Sequence, residues 1–166
     1  MSYDLIKKYE KLLGPFPPWK FCFDISGWKR YPDRVYFDWE LIKFEEKNKD
    51  KIPKTPGIYA FLIKPDIAGI PQNAYLLYIG KAGDKSKNNL YKRFNQYLNG
   101  LKYSKRPKLT VALNKWKKYV YFCYAEVTDL RLSLSKIETD LNDALIPPLN
   151  ENDFSVEIKI MKKVLR

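Results

Sequence analysis

Between Lys85 and Lys118 the chain carries eleven lysines and arginines and no acidic residue, with Tyr91, Tyr97, Tyr103 and Trp116 interleaved among them. Cations at this density attract phosphates through their summed field, and exposed rings can stack on bases. The pattern points to nucleic acid as the partner, ahead of a membrane surface or an acidic protein. Lys85, Lys87, Lys92, Lys102, Lys105, Arg106 and Lys108 are the candidate phosphate contacts. Nearly all of the net charge of +12 sits here, because the flanking segments are close to balanced. For any one of these residues a solvated surface is the plain alternative; what weighs against it is the absence of acids from the whole block.

The chain contains no histidine. Histidine-ligated zinc fingers, HEXXH hydrolases, Ser-His-Asp triads and HNH-type nucleases are thereby removed, and any general base has to be a carboxylate, lysine, tyrosine or cysteine. Cys22 and Cys123 lie far apart in aromatic surroundings (FCF and YFCY). They are expected to be buried thiols in a reducing compartment rather than a disulfide or a metal site. No apolar run approaches the length of a membrane span, and the start MSYDLIKKYEKLLG is too charged for a signal peptide. A cytoplasmic location is the expectation.

A length of 166 residues suits one domain. Leu5, Ile6, Tyr9, Leu12 and Leu13 predict a helix over Tyr3–Leu13, stopped by Gly14-Pro15. Phe21–Phe37 reads as irregular or as short strands, and Trp39–Lys47 as a short helix. Gly57–Ile63 (GIYAFLI) and Ala74–Ile79 (AYLLYI) read as two strands of a hairpin. Leu90, Phe94, Leu98 and Leu101 mark an amphipathic helix on which Arg93 and Tyr97 share a face. Tyr119–Val127 is a third strand. Leu134, Ile137, Leu141 and Leu145 mark a second amphipathic helix, with Ser135 and Glu138 spaced as a capping box and Pro147-Pro148 as its stop. The alternation of Phe154, Val156, Ile158 and Ile160 suggests an edge strand. The order is β-β-α-β-α-β. Residues 1–52 form an N-terminal elaboration packed on the core, 53–152 the core, and 153–166 a C-terminal strand and basic tail.

TPGIYAFLI, LLYIGKAG, LYKRFNQYL and KIETDLNDALIPPLN follow one another on these elements, and together they resemble the GIY-YIG nuclease superfamily over residues 53–152. The resemblance implies an α+β fold, with a small central antiparallel sheet of three or more strands flanked by helices. It also implies hydrolysis of a DNA phosphodiester with one divalent cation, Mg²⁺ or Mn²⁺, leaving 5′-phosphate and 3′-hydroxyl ends. Carried over by position, the catalytic residues are Tyr59, Tyr78, Lys81, Arg93, Tyr97, Glu138 and Asn150. Glu138 is the metal ligand, Arg93 the grip on the scissile phosphate, and Asn150 a support for the site. Gly80 keeps the backbone close at the active face. Tyr59 is assigned as base and Tyr78 as the residue that orients water or phosphate, an assignment that can be reversed. A tyrosine serves as base only if its pKa falls from about 10, and Lys81 and Arg93 would supply the charge to lower it. One conspicuous carboxylate speaks against a two-metal site.

The loops Lys64–Asn73 and Lys81–Asn89 are longer than in compact members of the family. No zinc module or helix-turn-helix signal accompanies the core. The implied role is a stand-alone DNA nuclease of restriction, phage defence or a mobile element, with RNA left open as substrate and monomer or homodimer left open as assembly. The rival readings are a repair or structure-specific nuclease, and a non-catalytic nucleic-acid-binding protein on a nuclease scaffold.

Overall fold

The computed structural model describes residues 25–31, 36–65, 73–83, 88–100, 106–129 and 131–164. In chain order the elements are α1 (Ile25–Arg30), β1 (Glu40–Lys43), a 3₁₀ helix (Glu46–Lys51), β2 (Gly57–Ile63), β3 (Tyr75–Ala82), α2 (Leu90–Leu98), α3 (Pro107–Lys115), a 3₁₀ turn (Lys117–Tyr119), β4 (Val120–Glu126), α4 (Leu134–Leu145) and α5 (Val156–Val164). The four strands form one antiparallel sheet in the order β1-β4-β2-β3. The fold is therefore α+β, an antiparallel sheet flanked by helices.

β2 is almost wholly apolar because both of its faces are covered, and the Tyr59 hydroxyl is its one polar side-chain group. Tyr59, Phe61 and Ile63 enter the larger core, with Phe94 of α2, Leu109 and Leu113 of α3, and Phe122 of β4. Ile58 and Ala60 point the other way, onto Ile137 and Leu141 of α4. A central strand alternates between two apolar layers, so its sequence reads as a continuous hydrophobic run. α2 begins at Asn89, whose side chain accepts a hydrogen bond from the Lys92 amide at 2.8 Å. That cap satisfies one of the first-turn donors and fixes the azimuth from which Arg93 and Tyr97 project.

Four expectations are corrected. Trp39–Lys47 does not form a helix: Glu40–Lys43 pairs with β4 as an edge strand, Glu40 opposite Tyr124 and Lys43 opposite Tyr121. The free edge of β4 supplies backbone partners that the four residues Glu40–Lys43 do not announce, and the Tyr124 hydroxyl donates to Glu40 Oε2 at 2.6 Å. Phe154–Ile160 is no strand either, since α5 covers most of it. Of its alternating apolar residues only Phe154 and Ile158 are buried, against Ile146, whereas Val156 and Ile160 are 67% and 59% exposed. Spacing of four, not two, is the one used. α3 is an additional helix, opened by Pro107 at its first turn and burying Leu109, Val111, Ala112 and Leu113. Within Phe21–Phe37, α1 is helical and packs on α4. The helix expected over Tyr3–Leu13 lies outside the described residues, as does Cys22. Cys123 is a free thiol on β4, half-buried rather than buried, and burial pushes its pKa up to about 11.

Gly57 opens β2 where three elements meet. A Cβ there would lie 2.2 Å from the Ala125 carbonyl oxygen and 2.8 Å from Leu90 Cδ1. The first contact is backbone in the neighbouring strand and cannot yield without parting β2 from β4. Gly57→Ala is expected to destabilise the fold by about 1–3 kcal/mol, the usual range of an overpacked core. Urea denaturation checks this, and a loss within about 0.5 kcal/mol would show that the strands adjust freely.

Candidate functional site

Among the described residues β3 pairs with β2 on one side and has no strand on the other. Its outer edge therefore presents backbone groups that need partners. Two side chains supply them. Asn150 Oδ1 accepts from the Ile79 amide at 2.9 Å while its Nδ2 donates to the Ile79 carbonyl at 2.8 Å. Glu138 Oε1 accepts from the Lys81 amide at 3.1 Å. The Leu149 amide adds a bond to the Leu77 carbonyl at 3.0 Å. The chain reaches this edge from α4 through Ile146, whose φ of 42° lies in the left-handed region, followed by Pro147-Pro148. That conformation costs a branched residue about 1–2 kcal/mol. Burial of the Ile146 side chain against Phe154 and Ile158 offsets it. Lys162 of α5 donates to the Asn150 carbonyl at 2.7 Å and stacks its ammonium 4.0 Å from the Phe154 ring centroid.

Tyr59 lies opposite Gly80 in the β2–β3 pair. A Cβ on Gly80 would sit 2.6 Å from the Tyr59 hydroxyl oxygen and 2.8 Å from the Tyr78 ring. The glycine is what lets the Tyr59 ring cross β3. The Tyr59 and Tyr97 hydroxyls are 3.2 Å apart, and Tyr97 also bonds to the Tyr78 hydroxyl. The three phenols form one chain, each no more than 2% exposed. Burial pushes Tyr59 and Tyr78 far above the ordinary tyrosine pKa and raises Tyr97 as well. Arg93 opposes the rise at Tyr59 and Tyr97, and Arg106 opposes it at Tyr78 and Tyr97. Neither outweighs desolvation. The expected lowering of a tyrosine pKa is thus reversed, because a phenolate loses more hydration here than a neighbouring guanidinium returns. Lys81 is directed elsewhere, toward Glu138 and Ser135.

Glu138 is 8% exposed on α4, with Oε2 at 3.6 Å from Lys81 Nζ. Burial raises its pKa, Asp153 raises it further, and Lys81 only partly counters them. Ser135 does not cap the helix with Glu138. The cap is Ser133, which accepts from the Lys136 amide, and the Ser135 hydroxyl accepts from Lys81 Nζ.

Of the expected phosphate contacts, Lys85, Lys87, Lys102 and Lys105 lie outside the described residues. Lys92 is exposed on α2. Arg106 stands just before α3 with its guanidinium 4.9 Å from the Tyr78 ring centroid and Nη1 at 3.4 Å from Asp153 Oδ2. Lys108 pairs with Glu151 at 2.7 Å. Arg93 Nη1 donates to Gln96 at 3.2 Å, while its buried Nε has no hydrogen-bond partner among the described residues.

Three features escaped the sequence reading. Asp153 has no local signal, since only the return of the chain to β3 brings it to Arg106, while its contact with Asn150 lies within one turn of loop. Nothing in the basic block marks Arg106 as the member that reaches the tyrosines. Asn142 was discoverable: it lies one turn after Glu138 on an apolar helix face. It is fully buried, and neither amide atom has a partner among the described residues. No family model matches the chain, and no curated protein or solved structure is significantly similar to it.

The Glu138 shift carries a sign. Its pKa in the folded protein lies above the ordinary 4.5, so its contribution to stability is complete below that value and is lost as pH rises through the folded pKa. Ionised Glu138 therefore costs stability at neutral pH. Glu138→Gln is expected to unfold at higher denaturant than wild type at neutral pH, with the gap closing below about pH 4. Denaturation at the two pH values measures it; a variant less stable than wild type at neutral pH would mean that the Lys81 contact dominates.

Proposed function

We propose that this chain is a metal-dependent DNA endonuclease of the GIY-YIG type. One observation supports this above the others. At the open edge of β3 a buried carboxylate, Glu138, meets the Lys81 amide beside a chain of three tyrosine hydroxyls, and Arg93 and Arg106 act on those hydroxyls from α2 and the start of α3. Clustered groups with displaced pKa values beside an unpaired guanidinium nitrogen are what active sites collect.

In this reading each group has one task. The planar fork of Arg93, with Nε unpartnered among the described residues, suits a phosphoryl oxygen of the scissile group. The tyrosines stay protonated at neutral pH, so they work as hydrogen-bond partners: Tyr59 holds the attacking water and Tyr78 the phosphate, with Tyr97 joining the two. This replaces the phenolate base that a depressed pKa would have allowed. Asn150 holds the β3 edge in register, and Lys81 favours the ionised form of Glu138.

Mg²⁺ or Mn²⁺ fits the Glu138 oxygens. The carboxylate is a hard oxygen ligand, and although Lys81 Nζ lies 3.6 Å from Oε2, burial and Asp153 still raise its pKa. Among the described residues no group of three or more His, Cys, Asp and Glu side chains stands together, so water and substrate oxygens would complete the coordination. When bound, the ion supplies an activated water and neutralises phosphoryl charge. The chain has no helix, among the described residues, long and apolar enough to cross a membrane.

Wild-type protein is expected to nick or linearise plasmid DNA in Mg²⁺, with Glu138→Ala and Arg93→Ala each lowering the rate by about 10²-fold or more. Retained cleavage in both variants, or no cleavage by wild type with either Mg²⁺ or Mn²⁺, would sink the mechanism. A second reading, a nucleic-acid-binding protein without catalysis, draws on the near-complete burial of all three hydroxyls. It requires DNA binding that survives Glu138→Ala with no cleavage in any condition.

A further inference from the structure

The two cations at the start of α3 are both occupied by carboxylates from one short loop. Arg106 is held by Asp153 and Lys108 by Glu151, so that residues two apart on one side face residues two apart on the other. This loop joins the Pro147-Pro148 turn to α5 and is tied into the site: Asn150 Nδ2 lies 3.4 Å from Asp153 Oδ2, while the same amide grips Ile79. Arg106 is the deeper of the two cations, with its side chain 35% exposed and its guanidinium over the Tyr78 ring. Lys108 and Glu151 are each about half exposed. A flat guanidinium between an aromatic face and a carboxylate has its fork engaged on one side only, and a carboxylate and a phosphate offer that fork the same two-oxygen geometry.

We propose that Arg106 and Lys108 bind consecutive backbone phosphates of a DNA strand, and that Asp153 and Glu151 occupy these cations in the free protein as internal phosphate mimics that the strand displaces. This rests on the nuclease reading for the identity of the strand, and adds to it a second anchoring point and a built-in competitor. Each phosphate exchanges with a carboxylate, so the gain in affinity from the cations is reduced by the pairs broken. The arrangement favours a polyanion that contacts both cations together over a single phosphate. Arg106 is a positioning residue: it sets the strand beside Tyr78, next to the phosphate assigned to Arg93.

A binding cycle without divalent metal tests this, using a fluorescein-labelled duplex at low salt and EDTA. Arg106→Gln is expected to weaken binding about 10-fold. Asp153→Asn is expected to tighten it about 3- to 10-fold in the wild-type background, by releasing Arg106, and to have no effect in the Arg106→Gln background. Asparagine nearly preserves the volume of aspartate, glutamine is shorter than arginine but keeps its polar end, and Arg106→Met provides a second background should glutamine not be tolerated over the Tyr78 ring. A structural ion pair predicts the opposite sign, since breaking it disorders the loop and weakens binding. Unchanged or weaker binding by Asp153→Asn overturns the proposal. So does equal tightening in both backgrounds, which would report only the loss of a negative charge from the surface. The nuclease reading is tested separately: Glu138-dependent plasmid cleavage with a flat binding cycle removes this inference alone, and a positive cycle in a protein that cleaves nothing removes the nuclease alone.

Discussion

The open edge of β3 is the constraint on which the rest of the molecule turns. A buried strand edge has amide and carbonyl groups that water cannot reach, and each one left unpaired costs about 1–3 kcal/mol. Another strand would satisfy them and would also close the space beside Tyr78. Here the bonds come from side chains, Asn150 to Ile79 and Glu138 to Lys81, with the Leu149 amide bonding to Leu77. A carboxylate is thereby held at a defined depth by the backbone it stabilises. In the proposed nuclease, structural and chemical roles would fall on the same atoms, and the turn through left-handed Ile146 is the strain accepted to deliver them.

Electrostatics on this scaffold is a contest between burial and nearby charge. Burial prevails at the tyrosines. Rings packed among Phe61, Phe94 and Phe122 lose the water that would stabilise a phenolate, and two guanidiniums do not replace it. At Glu138 the balance is closer, because Lys81 opposes both burial and Asp153. The consequence is a site of neutral donors around one carboxylate, suited to orienting water and an anion rather than to storing a strong base. The Nε of Arg93 and the amide of Asn142, both without partners among the described residues, are further costs, and the aromatic core on one face of the sheet carries them.

Segments that share no sequence signal are coupled through the same edge. α5 anchors the loop that reaches Arg106, because Phe154 and Ile158 dock on Ile146 while Lys162 holds the Asn150 carbonyl. A strand in this place, as the alternating pattern suggested, would have directed Val156 and Ile160 inward and left that carbonyl without the lysine. Helical spacing won because the apolar surface available is a small one around Ile146 and because β1 already pairs with the open edge of β4.

By itself the sequence determined the hairpin of β2 and β3, the helices that carry Arg93 and Glu138, and the concentration of positive charge between them. These follow from local rules: a continuous apolar run for a strand with two covered faces, a repeat of three and four for amphipathic helices, and glycine where no side chain fits. Tertiary structure decided what the charges and hydroxyls do. It gave β1 its strand and α5 its helix, selected Arg106 from a run of similar cations, and brought Asp153 to meet it. It also raised the tyrosine pKa values that adjacent charge was expected to lower. The physical reason is common to all of these. Desolvation, ion pairing and edge satisfaction depend on which groups are buried together, and that is a property of contacts between segments far apart in the chain.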